Sequence, residues 1–281
     1  MRVGIIGLGL IGGSMAKAIK HYTNHTVSGM DMSNQVVLKA KMLQVIDNEL
    51  TPEEIPSCDL IIVALYPQAA IDFIKENAAR LRGTTVVDCC GVKRVVQDTV
   101  LPIARENGFV FVGGHPMAGI EYSGFEYSSV DLFDRASMIL TPNPLANITD
   151  LDMLKRFFLS LGFRHIQIST PEEHDHVIAY TSQLAHVLSS AYVKSEAAMQ
   201  HFGFSAGSFK DMTRVALLKV DMWTELFMAN SEYLADEVDA LAIRLTQYAE
   251  AIRNHDADAL SSLLDEGCKR KKYLTERETG A

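Results

Sequence analysis

Downstream of a β-branched run at 109–112 lies Gly113-Gly114-His115-Pro116-Met117-Ala118-Gly119, followed by Glu121 and Ser123-Gly124. Imidazole titrates near neutrality, so a neutral His115 at a strand end could take the proton of a substrate hydroxyl while hydride leaves the same carbon. The flanking glycines would admit a ligand close to the backbone, and Pro116 would stiffen the turn that aims the ring. The alternative is a histidine that serves the turn's own hydrogen bonds. A second group, Gly207-Ser208-Phe209-Lys210-Asp211-Met212-Thr213-Arg214, opens a helical stretch. Lys210 and Arg214 are four apart and share a face, where like charges repel unless something anionic intervenes. A guanidinium suits bidentate capture of a carboxylate, with the lysine as a second point charge. An exposed face with a local Asp211–Arg214 pair is the plainer alternative.

The N-terminus carries a third pattern: strand-like 2–6, then Gly7-x-Gly9-x-x-Gly12, a helical stretch from Ser14 to Lys20, and Asp31 after a second apolar run. Gly7 permits a tight turn, Gly9 lets the backbone approach a pyrophosphate, and Gly12 lets helix and sheet pack closely. The first-turn N–H groups, those of Leu10 and Ile11 among them, are then available to phosphate oxygens. Asp31 can accept from both ribose hydroxyls and would repel a 2′-phosphate, which favours NAD over NADP.

Elements that could position these groups follow from periodicity. Short β-branched runs at 60–64, 84–88, 109–112, 138–141 and 165–168 alternate with helical patterns, so the fold class is α/β. The pattern implies an N-terminal doubly wound (Rossmann-like), mainly parallel sheet over 1–168, with ligands beyond the carboxyl ends of its strands. An all-helical C-terminal domain is expected over 169–281. Thr170 should cap its first helix, with Pro171 at the first position and Glu173 completing a capping box, and this helix should run almost to Gly203. Further helices are expected over 208–230, 231–254 and 256–275. Apolar residues on more than one face, such as Val177, Tyr180, Leu184 and Tyr192, suggest a homodimer built through the helical domain.

With 281 residues, 48% hydrophobic content and a net charge of −9, the chain reads as a soluble protein whose partner is a small molecule. Neither nucleic acid nor an anionic membrane surface suits that charge. No apolar run approaches spanning length, and a cytoplasmic location is expected. Cys58, Cys89, Cys90 and Cys268 lack disulfide or zinc spacing and read as small buried residues. No metal is expected: His174-x-His176 lacks further ligands and reads as capping or lining its helix.

Taken in order, Gly114-His115-Pro116-Met117-Ala118-Gly119, Glu121, Ser123-Gly124, His174-Asp175, Ser182-Gln183-Leu184-Ala185-His186 and Lys210-Asp211-Met212-Thr213-Arg214 with Trp223 resemble the prephenate dehydrogenase family. The resemblance implies oxidation of prephenate by NAD with loss of carbon dioxide, giving 4-hydroxyphenylpyruvate toward tyrosine, on a dinucleotide-binding domain followed by a helical dimerisation domain. It casts His115 as partner or base for the ring hydroxyl and Arg214 as the carboxylate anchor. His186, Lys210, Glu121, Gly207 and Trp223 are placed around the substrate. Two departures stand out. Where relatives carry Asp-x-x-Ser-x-Lys, 88–93 offers Gly91, so a serine hydroxyl beside the histidine is missing; where they carry Ser-His-Leu-Pro-His, Gln183 replaces the first histidine. Arogenate dehydrogenase, giving tyrosine directly, is the nearest alternative, and a catalytically impaired NAD-binding sensor is another. Chain length leaves no room for the regulatory or mutase domains that some relatives carry, so feedback through such a domain is not expected.

Overall fold

The computed structural model describes residues 1–279; the last two positions of the expected helical domain, Gly280 and Ala281, lie outside the described residues. The strands are β1 (Arg2–Ile6), β2 (Thr26–Met30), β3 (Asn48–Glu49), β4 (Leu60–Val63), β5 (Thr85–Asp88), β6 (Val110–Pro116), β7 (Ser137–Thr141) and β8 (His165–Ile168). They form one sheet in the order β3-β2-β1-β4-β5-β6-β7-β8. All neighbours are parallel except β6 and β7, which run antiparallel. This is the doubly wound, mainly parallel sheet that the alternating pattern implies. Every residue of β4 and β5 is buried, as expected of strands covered on both faces. Alternate side chains serve opposite faces: Val3, Ile5, Leu60 and Ile62 enter one apolar cluster, and Ile6, Ile61 and Val63 enter another.

Helices α1 (Leu10–Tyr22), α2 (Asn34–Met42), α3 (Pro67–Asn77), α4 (Arg94–Asn107) and α5 (Ile148–Ser160) connect the strands. After β8 come α6 (Pro171–Ile178), a π-helical turn (Ala179–Leu184), α7 (Ala185–Tyr192), α8 (Gly207–Thr213), α9 (Val220–Ala229), α10 (Ser231–Arg253) and α11 (Ala257–Thr279). Met1–Ser231 forms one compact unit, and a second begins at Glu232.

Several expected boundaries shift. The helix expected to run almost to Gly203 ends at Tyr192, because Ser195 leaves the helical region and its carbonyl accepts from Ala198 N–H, opening a 3-10 turn over Glu196–Gln200. The helix expected over 208–230 is two. Ser189 Oγ donates to Met212 O at 2.8 Å, so a side chain of α7 satisfies a carbonyl at the end of α8. At the start of α6, Thr170 Oγ1 accepts from Glu173 N–H at 3.1 Å, but the Glu173 carboxylate turns to Ser169 Oγ, so only half the capping box forms. Cys58 and Cys90 are buried as expected, whereas Cys89 is half-buried and Cys268 is exposed on α11. Val177, Tyr180 and Tyr192 are exposed in the single chain rather than covered. No helix among the described residues is long and apolar enough to cross a membrane.

Candidate active site

At the carboxyl end of β1 the glycine turn has the shape its sequence implies. Gly7 sits at φ +87°, where an added side-chain carbon would stand 2.6 Å from Ala64 O. A Cβ at Gly12 would overlap Gly7 O, so the first turn of α1 lies directly on the strand exit. Around Gly9 the space is open: a Cβ there meets nothing within 4 Å. Gly9 is the N-cap of α1 and no side chain caps it, which leaves the N–H groups of Leu10 and Ile11 for an external acceptor. Asp31 directly follows β2, with its carboxylate oriented by two backbone donors, Leu8 N–H at 2.8 Å and Ser33 N–H at 2.9 Å. An open cradle with free N–H groups beside a fixed carboxylate fits a dinucleotide pyrophosphate and ribose.

His115 belongs to β6 itself rather than to a turn after it, and pairs with Ile139 of β7. Its glycine neighbours answer to packing, not to a ligand: a Cβ on Gly114 would stand 2.5 Å from Asp88 O, and one on Gly113 would run into Thr141 Oγ1. The ring is tied inward. His115 Nδ1 lies 2.9 Å from His174 Nε2, and His174 Nδ1 lies 2.7 Å from Asp175 Oδ1. Asp175, fully buried, also accepts from the backbone N–H groups of Lys93 (2.7 Å) and Arg94 (2.9 Å). The equally buried Lys93 ammonium donates to Asp88 Oδ2 and to Gly114 O at 2.6 Å. Burial holds the His115 pKa well below the usual histidine range, helped by the neighbouring His174 ring and the Lys93 charge. His174 is lowered too, by burial first, although its bond to Asp175 opposes the shift.

The sequence reading of His174 as a cap or lining of its helix is therefore corrected: it is the direct partner of the candidate base. An adjacent His-Asp pair one turn into α6 was the available signal. The pair counts toward the family resemblance, but its role beside His115 shows only once α6 is seen to return to the end of β5.

Gly91 faces the other ring nitrogen. A Cβ there would lie 3.9 Å from His115 Nε2 and 3.4 Å from a methyl of Leu226 on α9. A serine at this position would bring its hydroxyl beside Nε2, so the missing side chain leaves room at the reacting edge of the imidazole. Gln183 has a structural task. Its Nε2 donates to Leu226 O at 3.2 Å, and its Oε1 accepts from Asn230 Nδ2 at 2.8 Å; that same amide donates to Asp175 O at 2.8 Å.

Arg214 follows α8 as its C-cap, and its Nη1 donates to Glu121 Oε1 at 2.9 Å. The carboxylate partner thus comes from the loop after β6, not from Asp211. A cavity of about 360 Å³ opens beside this pair, with Met117, Ser182, His186, Asp211, Met212 and Arg214 in its wall. His186 Nδ1 donates to Ser182 O at 2.9 Å, and its ring packs on Trp223 with centroids 3.8 Å apart. Burial lowers the His186 pKa. Gly207 and Lys210 are exposed on α8 and are not among the residues that line the cavity. Among the described residues no group of three His, Cys, Asp or Glu side chains is arranged to hold a metal.

A doubly wound sheet with a glycine turn and acid at its nucleotide edge, followed by helices that carry basic and aromatic residues, defines a two-domain dinucleotide-binding protein of the dehydrogenase type. Residues 15–167 match the family model for the prephenate dehydrogenase nucleotide-binding domain, and 170–266 match that for its dimerization domain. The chain belongs to the prephenate dehydrogenase family. Among curated relatives, a cyclohexadienyl dehydrogenase of Zymomonas mobilis is 30% identical over 97% of this chain and 95% of its own, and a prephenate dehydrogenase of Bacillus subtilis is 28% identical over 99% and 77%. A solved prephenate dehydrogenase of A. aeolicus, in complex with hydroxyphenyl propionate and NAD+, is 28% identical, covers 98% of each chain and has a TM-score of 0.83.

Proposed function

We propose that this chain oxidises prephenate with NAD, releasing carbon dioxide and 4-hydroxyphenylpyruvate, as a step toward tyrosine. The observation that carries the reading is the cavity of about 360 Å³ that brings Arg214 and His186 together with Met117, two residues beyond His115. A pocket of this size suits a single small ring with two acidic groups. Bound NAD supplies the hydride acceptor. The chain's own groups supply the rest. Gly7, Gly9, Leu10, Ile11 and Gly12 seat the pyrophosphate and Asp31 the ribose. His115 Nε2 takes the hydroxyl proton as hydride leaves the ring carbon, and Arg214 holds a carboxylate, aided by His186 and framed by Trp223 and Glu121. Lys210 and Gly207 contribute from the rim. The carbonyl formed is conjugated through the ring to the carbon that bears the leaving carboxylate, so loss of carbon dioxide makes the ring aromatic. The protein has to position and deprotonate, and it must not clamp the departing carboxylate too firmly.

We take 1–168 as the cofactor domain and 169–281 as the domain for substrate and dimerisation. The exposed Val177, Tyr180 and Tyr192 support a homodimer, and so does the dimerization-domain match. A monomeric mass in sedimentation at micromolar concentration would remove it. The substrate test is NADH formation from prephenate and arogenate, each with NAD and NADP. Activity with prephenate and NAD supports the reading. Activity with arogenate alone would assign the chain to direct tyrosine formation, and NAD binding without turnover of either substrate would make it a sensor.

A further inference from the structure

The donors and acceptors behind His115 can be assigned one by one. A carboxylate only accepts, so the 2.7 Å contact between Asp175 Oδ1 and His174 Nδ1 makes that nitrogen the N–H of His174. Asp175 cannot turn away, because the N–H groups of Lys93 and Arg94 hold both its oxygens. A neutral His174 then has a bare Nε2, which lies 2.9 Å from His115 Nδ1 and must accept from it. What remains to His115 is a bare Nε2, the nitrogen that faces the open position at Gly91. The charged groups behind the ring are Asp88 at the end of β5, Lys93 in the segment after it, and Asp175 beside His174 on α6; the thiols of Cys89 and Cys90 are kept neutral by burial. The Lys93 ammonium is bonded to Asp88 and Gly114 O and does not compete for the imidazole. From α9, Leu226 brings no titratable group. Burial that depresses both histidines supports two neutral rings.

We propose that His174 and Asp175 are positioning residues that hold His115 in its Nδ1–H form, so that Nε2 presents a lone pair to the substrate hydroxyl. The identity of that hydroxyl rests on the functional reading above; the ordering of protons behind the ring does not.

The test uses the full chain labelled with ¹⁵N at histidine. Two-bond ¹⁵N–¹H correlation spectra distinguish a protonated ring nitrogen from a bare one, and His115→Asn assigns the signals. The expected result is a protonated Nδ1 and a bare Nε2 on His115. In His174→Leu that preference should be lost, and turnover should fall on the order of 10²-fold, with KM and NAD affinity changed less than about threefold. His174→Gln, whose amide oxygen can accept from His115 Nδ1–H, should recover at least about a tenth of parent turnover. A bare Nδ1 on His115 in the parent, or His174→Leu and His174→Gln that are equally active, would overturn the proposal. If the parent produces NADH from neither prephenate nor arogenate, the functional reading fails, and the spectra still decide the relay.

Discussion

The Arg214 guanidinium and the Glu121 carboxylate meet at 2.9 Å, joining the end of α8 to the loop after β6. The carboxyl of Glu121 is held below its usual range by its own backbone N–H and then by Arg214. Arg214 is 66% exposed on its side chain, so water screens the pair and an arriving carboxylate can displace it. Glu121→Gln frees the guanidinium, and the expected result is a KM for prephenate lowered about two- to fivefold with kcat nearly unchanged. A raised KM would make Glu121 a guide for the arginine rather than its competitor.

Arg214→Gln should act mainly on KM as well. A fully buried charged hydrogen bond would be worth a large factor, but solvent reaches this one, so an increase of roughly tenfold is expected. Steady-state kinetics that show kcat reduced and KM intact would move Arg214 from binding into the chemical step.

His115→Asn removes the base without opening the sheet, since strand pairing to Ile139 uses backbone groups. Turnover should drop roughly 10²- to 10⁴-fold while NAD affinity, measured by fluorescence titration, stays close to that of the parent. Because burial keeps His115 neutral, the acid limb of the parent's pH profile should lie below about pH 6.5, the ordinary histidine value.

The same burial makes stability depend on pH. On unfolding, His115 and His174 regain ordinary pKa values near 6.5 and bind protons that the folded chain excludes. The unfolded state therefore gains more protons as pH falls below about 6.5, and stability declines until the folded values are reached. Scanning calorimetry between pH 7 and 5 should show a falling Tm, and His115→Gln should flatten that slope. An unchanged slope would mean the imidazoles are hydrated in solution.

Much of this was legible in the residues, and the misses share a cause. Gly7, Gly9, Gly12 and Asp31 form a local motif whose partners lie within one strand, turn and strand, so spacing alone determines their arrangement. His115 was found for its position at a strand end, yet its glycine neighbours were misread, because their packing against Asp88 and Thr141 depends on which strands lie beside β6. His174 and Asp175 escaped for the same reason: their partners are 59 and 82 positions away along the chain. At the end of α8 the Met212 carbonyl is taken up by Ser189, a residue of a different helix. Periodicity reports what a segment can become; long-range hydrogen bonds decide where it stops.

Asp31 offers the sharpest test of cofactor choice, provided the substitution spares the turn. Its oxygens accept from Leu8 and Ser33 N–H groups, so Asp31→Ala would strand two donors, each worth about 1 kcal/mol or more if left without a partner. Asp31→Asn keeps an acceptor and removes the negative charge. The ratio of kcat/KM for NADP to that for NAD should rise by at least about tenfold, since repulsion of a 2′-phosphate is relieved and no cation is added to attract it. Most of that change should come from better use of NADP, because the asparagine can still bond one ribose hydroxyl. A parent that already uses both cofactors equally would show that the carboxylate serves the turn alone, and the ratio in Asp31→Asn would then stay where it began.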